Sequence, residues 1–180
     1  MTIYTAEYIF YQTKGDYPRV SFADMSYYMD MRTIHRDIVG GFIFSKDGKF
    51  LLGKNRKGGV YEGSFVVPGG GVDEGETKET ALYREMLEET GIDIDAGVVT
   101  ELHQSSGEHQ KTLRTTGERV LVKMDFYNYR IDLKLNADDV DVITEDDWYK
   151  PRWFDVSELN DTQLSEPTRN TLIATGVITG

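Results

Sequence analysis

Pro68-Gly69-Gly70-Gly71-Val72-Asp73-Glu74-Gly75-Glu76-Thr77-Lys78-Glu79-Thr80-Ala81-Leu82-Tyr83-Arg84-Glu85-Met86-Leu87-Glu88-Glu89-Thr90-Gly91-Ile92 is the stretch on which the reading of this chain turns. A glycine-rich turn gives way to a run with helical periodicity from Thr77 to Thr90. Thr77 is a suitable N-cap, and Gly91 stands where a helix ends in a left-handed residue. At 100° per residue, Arg84, Glu88, Glu85 and Glu89 fall at about 0°, 40°, 100° and 140°, whereas Leu82, Met86, Tyr83 and Leu87 occupy about 160° to 300°. One face is anionic and the other belongs to a core. Ala81, near 60° on the same wheel, leaves room among the carboxylates.

The anionic face is locally unfavourable. Glu85, Glu88 and Glu89 repel one another at i, i+3 and i+4 and crowd the negative end of the helix dipole, at a cost of about 0.3–1 kcal/mol for each placement. A bound cation reverses that sign. Three hard oxygen donors without cysteine or paired histidine select Mg²⁺ or Mn²⁺ over Zn²⁺. The alternative is a solvated acidic face on which Arg84 pairs with Glu88.

Composition narrows the partners. The chain has 180 residues, 39% of them hydrophobic and 28% charged, enough for one packed domain and too balanced for wholesale disorder. Its formal net charge of −11 repels phosphate backbones and anionic lipid, so polymeric nucleic acid and membranes are not expected partners. No apolar run approaches the ~18 residues of a membrane helix, and Glu7 stands where a signal peptide carries basic charge, so a cytoplasmic location is expected. Absence of cysteine excludes disulfides, thiolate metal sites and a cysteine nucleophile.

Gly70, Glu76, Arg84, Glu85, Met86, Glu88, Glu89, Gly91 and Ile92 match the Nudix box, G-x5-E-x7-R-E-U-x-E-E-x-G-U with U aliphatic, at every constrained position. The chain resembles a Nudix hydrolase, with a looser likeness extending over about residues 37 to 160. The resemblance implies an α+β fold, an α/β/α sandwich around a mixed β-sheet. It also implies hydrolysis of a nucleoside diphosphate linked to another group. It makes Glu85, Glu88 and Glu89 ligands of Mg²⁺ or Mn²⁺, lets the Gly70 carbonyl complete the site, and gives Arg84 the task of orienting the carboxylates. Catalytic roles therefore fall to Arg84, Glu88 and Glu89. Glu88 or Glu89 can serve as general base, as can Glu118, Glu145 or Asp146 on later loops. The stretches Leu51 to Arg56 and Phe65 to Gly70 look like those of GDP-mannose hydrolases, and the prolines typical of ADP-ribose and NADH pyrophosphatases are missing. A nucleotide sugar or related derivative is the favoured small-molecule substrate. Nucleoside triphosphate cleavage is next, and a non-catalytic nucleotide sensor is the remaining class.

The flanking sequence completes the plan. Residues 1–36 form an aromatic N-terminal arm, with a short helix expected to start at Ser21 and carry Phe22, Met25 and Met29; packing onto the domain's own core is its expected use, and a homodimer contact or substrate stacking is the alternative. Residues 37–160 form the Nudix domain, and residues 161–180 a tail with a closing helix from Glu166 to Ala174. Ile38 to Phe44 and Lys49 to Leu52 read as a hairpin about Lys46-Asp47-Gly48. Ser64 to Val67, Val98 to His103, Arg119 to Ile131 and Arg152 to Phe154 read as strands. In Arg119 to Ile131 the apolar parity jumps after Phe126, which predicts a β-bulge there. The polar stretch Gln104 to Glu118 reads as a long loop that closes over substrate, bringing Lys111 or Arg114 to a phosphate. Arg56, with Lys54 and Lys57, is the other basic candidate for phosphate binding, and Arg119 stands beside the loop. His35, His103 and His109 have no metal-ligand spacing.

Overall fold

Alternation along β1 (Thr33–Phe44) decides how the layers stack. Val39 and Ile43 point into one buried cluster, and Phe42 and Phe44 point into another, because successive strand residues face opposite sides. A strand apolar on both faces must lie in the middle of a sandwich. The computed structural model of this chain describes residues 31–55, 61–113, 115–143 and 148–180. The chain divides into two units, Met1–Arg32 and Thr33–Gly180, and all the elements that follow lie in the second. The helix expected from Ser21 lies outside the described residues.

After β1 come β2 (Phe50–Asn55), β3 (Phe65–Val66), β4 (Gly69–Gly71), α1 (Lys78–Thr90), β5 (Val98–Glu101), β6 (Ser105–Thr112), β7 (Arg119–Asp132), β8 (Trp148–Phe154) and α2 (Glu166–Ala174). They build one mixed sheet in the order β3-β2-β1-β7-β5, with β4 on β1, β6 on β7 and β8 on β2. The β1–β7 pair is parallel and the remaining pairs are antiparallel. Helix α1 buries Ala81, Leu82 and Met86 against Val39, Ile43, Leu51, Tyr129 and Ile131. Helix α2 and the tail bury Leu172 and Ile178 against Phe42, Phe44, Phe50, Leu52 and Phe154. The fold is thus α+β with a helix on each face of a mixed sheet, as the resemblance implies. Among the described residues no helix is long and apolar enough to cross a membrane.

The expected hairpin forms: Ser45 N donates to Lys49 O and Gly48 N to Ser45 O, each at 2.9 Å. The closing helix also forms over Glu166–Ala174. Strand β1 starts at Thr33, inside the stretch read as arm, because its polar first residues still pair in register with Leu121 to Asp125.

Two expectations are corrected. Gln104 to Glu118 is not a loop: most of it is β6, paired antiparallel with β7 from Ser105↔Phe126 to Thr112↔Arg119. As the outer neighbour of β7, this strand carries few apolar side chains, which hides it from pattern reading. Nor does β7 bulge at Phe126, since its register with β1 is unbroken from Thr33↔Leu121 to Phe44↔Asp132. The extra residue lies in the opposite strand, where Glu101 pairs with Tyr129 but Ser105 pairs with Phe126. The apolar parity of β7 changes because its two halves bury opposite faces. Val120 and Val122 are buried on one side, and Tyr129 and Ile131 on the α1 side.

Candidate functional site

Helix α1 forms where capping allows it. The Thr77 side chain accepts from Thr80 N, and Gly91 closes the helix in the left-handed region at φ 72°. What presses the helix onto the sheet is the absence of a side chain at Gly41, where a Cβ would come within 2.3 Å of Met86 Sδ. This close approach sets the last two turns of α1 above β4, which pairs with β1 through Val39↔Gly70 and Gly40↔Gly69.

The carboxylates meet β4 in two ways. Glu89 Oε2 accepts from Gly69 N at 2.7 Å. Glu85 lies over Gly70 so closely that a Cβ there would stand 2.3 Å from Oε1 and 2.5 Å from Oε2. Only glycine leaves this space open. The Glu85 side chain is 13% exposed, whereas Glu88, one turn on, is 59% exposed.

Arg84 ties the group together. Its Nε donates to Glu76 Oε1 at 3.0 Å and its Nη2 to Glu76 Oε2 at 2.8 Å, a bidentate pair. Nη2 also donates to Gly71 O at 2.9 Å. Nη1 donates to Glu85 Oε1 at 2.7 Å and to Glu88 Oε2 at 3.2 Å. Glu76 additionally accepts from Asp73 N at 3.1 Å. Hydrogen bonds from the Arg84 guanidinium hold the Glu76 carboxyl below the usual carboxylate range. Burial pushes the Glu85 carboxyl up, against the opposing pull of Arg84. The hydrogen bonds that Arg84 donates to Glu76 lead in raising the guanidinium well above its ordinary value.

Among the described residues, no three carboxylates or histidines converge tightly enough to hold an ion. Glu85 and Glu88 share Nη1 of Arg84, and Glu89 is turned to the Gly69 amide. The donor set nevertheless suits a hard divalent cation: three carboxylates on one helix face, one of which, Glu85, fills the space that a side chain at residue 70 would take.

A family model of the NUDIX domain matches residues 34–174. The chain belongs to the Nudix hydrolase family. It is 30% identical over 139 residues to the nucleoside triphosphatase NudI of Enterobacter sp. (strain 638), a match covering 76% of this chain and 94% of that one. It is 46% identical over 59 residues to the ADP-ribose pyrophosphatase of Methanocaldococcus jannaschii, covering 33% of this chain and 34% of the relative. The RNA pyrophosphohydrolase of Wolbachia pipientis subsp. Culex pipiens (strain wPip) is 43% identical over 67 residues, again with only 39% of the relative spanned. The fold is shared with the Escherichia coli dihydroneopterin triphosphate pyrophosphohydrolase, at TM-score 0.59 and 18% identity over 77% of this chain and 92% of that one. It is shared too with the MutT protein from Methanosarcina mazei Go1, at TM-score 0.56 and 19% identity over 82% and 95%.

Within this Nudix domain the structure gathers Gly70, Arg84, Glu85, Glu88 and Glu89 around β4 and leaves Lys111 apart. Lys111 pairs with Val120, seven residues along β7 from Tyr127, the partner of Val39 in the Gly70 row, which is about 23 Å of strand. Glu118 and Arg119 sit at the same end, past the tip of the β6–β7 hairpin. Arg56, Lys57, Arg114, Glu145 and Asp146 lie outside the described residues. Lys54 turns to Gly63 O and stands over the Phe65 ring, 3.9 Å from its centroid. Sequence reasoning gave no task to Glu76, which seats Arg84. The signal was present in Asp73-x-x-Glu76, where the glutamate reaches back to the backbone N–H three residues earlier, as in a capping box.

Proposed function

We propose that this chain is a divalent-metal-dependent pyrophosphohydrolase acting on a nucleoside diphosphate linked to another group, with a nucleotide sugar or related derivative as the favoured substrate. The observation that carries this reading is the complete carboxylate set of α1 packed on β4, with Glu85 over Gly70 and Glu89 on the Gly69 amide. A domain that only binds nucleotide has no need of three mutually repelling carboxylates at a helix C-terminus.

Glu85, Glu88, Glu89 and the Gly70 carbonyl would hold Mg²⁺ or Mn²⁺, which when bound neutralises pyrophosphate charge and acidifies water. Arg84 fixes the orientation of Glu85 and Glu88 through Nη1. Glu88, the more exposed of these two, takes the proton of a water whose oxygen attacks phosphorus. The new P–O bond forms as the bridging oxygen departs with its electron pair. Arg56 and Arg114 remain the basic residues proposed to meet phosphate. The pairing of Lys111 in β6 with Val120, far along β7 from the Gly70 row, speaks against Lys111 in that role.

Nucleoside triphosphates are the second reading, supported by the nucleoside triphosphatase NudI, which the alignment spans almost end to end. Assay of nucleotide sugars and nucleoside triphosphates with Mg²⁺ or Mn²⁺ in ¹⁸O-labelled water separates the readings. Label should appear in a phosphate-containing product, and label on a sugar hydroxyl alone would move the attack to carbon. Glu88→Gln and Glu89→Gln should each lower kcat by about two orders of magnitude with the fold intact. Full metal-dependent activity in both variants defeats the assignment.

A further inference from the structure

We propose that Oδ1 of Asn128 reads the nucleobase of the substrate, accepting a hydrogen bond from an exocyclic amino group held over Gly40. The inference rests on the nucleotide reading above and is independent of the metal.

Asn128 stands on β7 beside Gly40 of β1, on the face of the sheet that α2 covers, and is only 6% exposed. An amide this buried calls for partners at both ends. Its nitrogen has two: Nδ2 donates to Thr171 Oγ1 of α2 at 3.2 Å and to His103 O at 3.4 Å. Those bonds occupy both N–H groups and fix which end of the amide is oxygen. Among the described residues Oδ1 accepts no hydrogen bond. A buried acceptor left unmatched costs free energy, and an N–H brought by a ligand removes that cost.

Glycine keeps the oxygen uncovered. A Cβ on Gly40 would stand 3.0 Å from Oδ1 and 3.4 Å from Val67 Cγ2. On one side of this row Phe42 closes the core, but on the other Ile38 and its β7 partner Phe126 are only half-buried, as is Val67. An apolar rim around one placed polar atom is the composition of a small-molecule site, and the Phe126 ring suits a planar base. Of the N–H donors on a base, the exocyclic amino group projects furthest from the ring, so it is the one that reaches an oxygen recessed beside Gly40.

The row also leads to the carboxylates. Gly40 pairs with Gly69, whose amide donates to Glu89, which puts Asn128 two strand spacings, about 10 Å, from β4. Among the described residues β4 pairs with β1 alone. A nucleotide passing the open edge of β4 can therefore set its base at Asn128 and its diphosphate at α1. Such a contact is made equally in ground and transition states, so it acts on binding and leaves kcat to the carboxylates.

The readout is base discrimination in binding, which a purely structural asparagine would not move. The full chain, in EDTA so that nothing turns over, is titrated calorimetrically with AMP, GMP and CMP and with their amino-free counterparts, purine riboside monophosphate, IMP and 4-deamino-CMP. In the wild-type protein the base that fits should bind roughly tenfold tighter than its amino-free counterpart, the size of one hydrogen bond to a buried acceptor. Asn128→Ala should bring that ratio close to one. Because this variant also strips Thr171 and His103 of a donor, it can fail to fold, and Gly40→Ala is the second test. Its methyl covers Oδ1 while both Nδ2 bonds remain, so it too should abolish the ratio, with thermal melts reporting the fold. Equal affinities within every pair, no binding of any monophosphate, or an unchanged ratio in a folded Gly40→Ala overturns the assignment. None of these touches the hydrolase reading, whose failure shows instead as absence of turnover in the assay with metal.

Discussion

Glu85 lies where a methyl group on residue 70 would have to be, and Glu89 takes the amide of residue 69. The Nudix box thus joins two segments that need each other: glycines that vacate space and glutamates that fill it. Its spacing was legible because a helix fixes which side chains share a face. The anchoring of Arg84 on Glu76 was not, since the turn from Asp73 to Glu76 must be built before Nε and Nη2 meet that carboxylate. Another residue-scale feature lies away from the box. Among the described residues the buried Nδ1 of His109 in β6 has no hydrogen-bond partner, and burial, aided by the Lys111 charge, pushes its imidazole below the ordinary histidine value. The unfolded chain then binds a proton at about pH 6.5 that the folded chain refuses. Stability contributed by the neutral ring is present above that pH and is lost as pH falls through it. Unfolding midpoints measured from pH 7.5 down to 5.5 should drop less in His109→Phe than in the wild-type protein. An equal drop in the two proteins would place the acid sensitivity elsewhere.

Elements differ in how plainly sequence announces them. Helix α1 is announced by both ends, with Thr77 accepting from Thr80 N and Gly91 left-handed. Strand β6 is announced by nothing: Ser105, Ser106, Gly107, Glu108, Gln110, Lys111 and Thr112 offer no apolar alternation, because an outer strand relies on the backbone ladder to β7 rather than on a buried face. The parity jump in β7 misled for a related reason. A strand covered on opposite sides in its two halves gives the same pattern as a bulge, and only the partners' registers tell them apart. For α1 the cap makes a measurable prediction. Thr77→Ala should cost about 1 kcal/mol of stability and Thr77→Ser should restore most of it. Chemical denaturation of the three proteins checks this, and equal midpoints for all three would show that α1 is held by packing alone.

At the scale of the whole molecule, one sheet serves two cores. Leu82 and Met86 of α1 lie with Val39, Ile43 and Ile131 on the face that carries the carboxylates, while Leu172 of α2 lies with Phe42, Phe44 and Phe50 on the other. Both cores stabilise the fold, but only one is in direct line with the site. Met86 follows Glu85 in the chain, and its sulfur fills the space above Gly41 that fixes how closely α1 approaches β1. A cavity there lets the helix shift and carries Glu85 and Glu89 off β4. A cavity at Leu172 opens on the far side of β1 and β7, where the sheet separates it from the carboxylates. Met86→Ala and Leu172→Ala should therefore each cost about 2–5 kcal/mol, seen as lowered melting temperatures of similar size. Their kinetics should part. Assayed well below both melting points, Leu172→Ala should keep kcat within about twofold of wild type, whereas Met86→Ala should lose tenfold or more, on the order that a misplacement near 1 Å imposes. Equal losses in the two variants would mean that α2 and α1 are coupled through the sheet and that the far core also sets the geometry of the site.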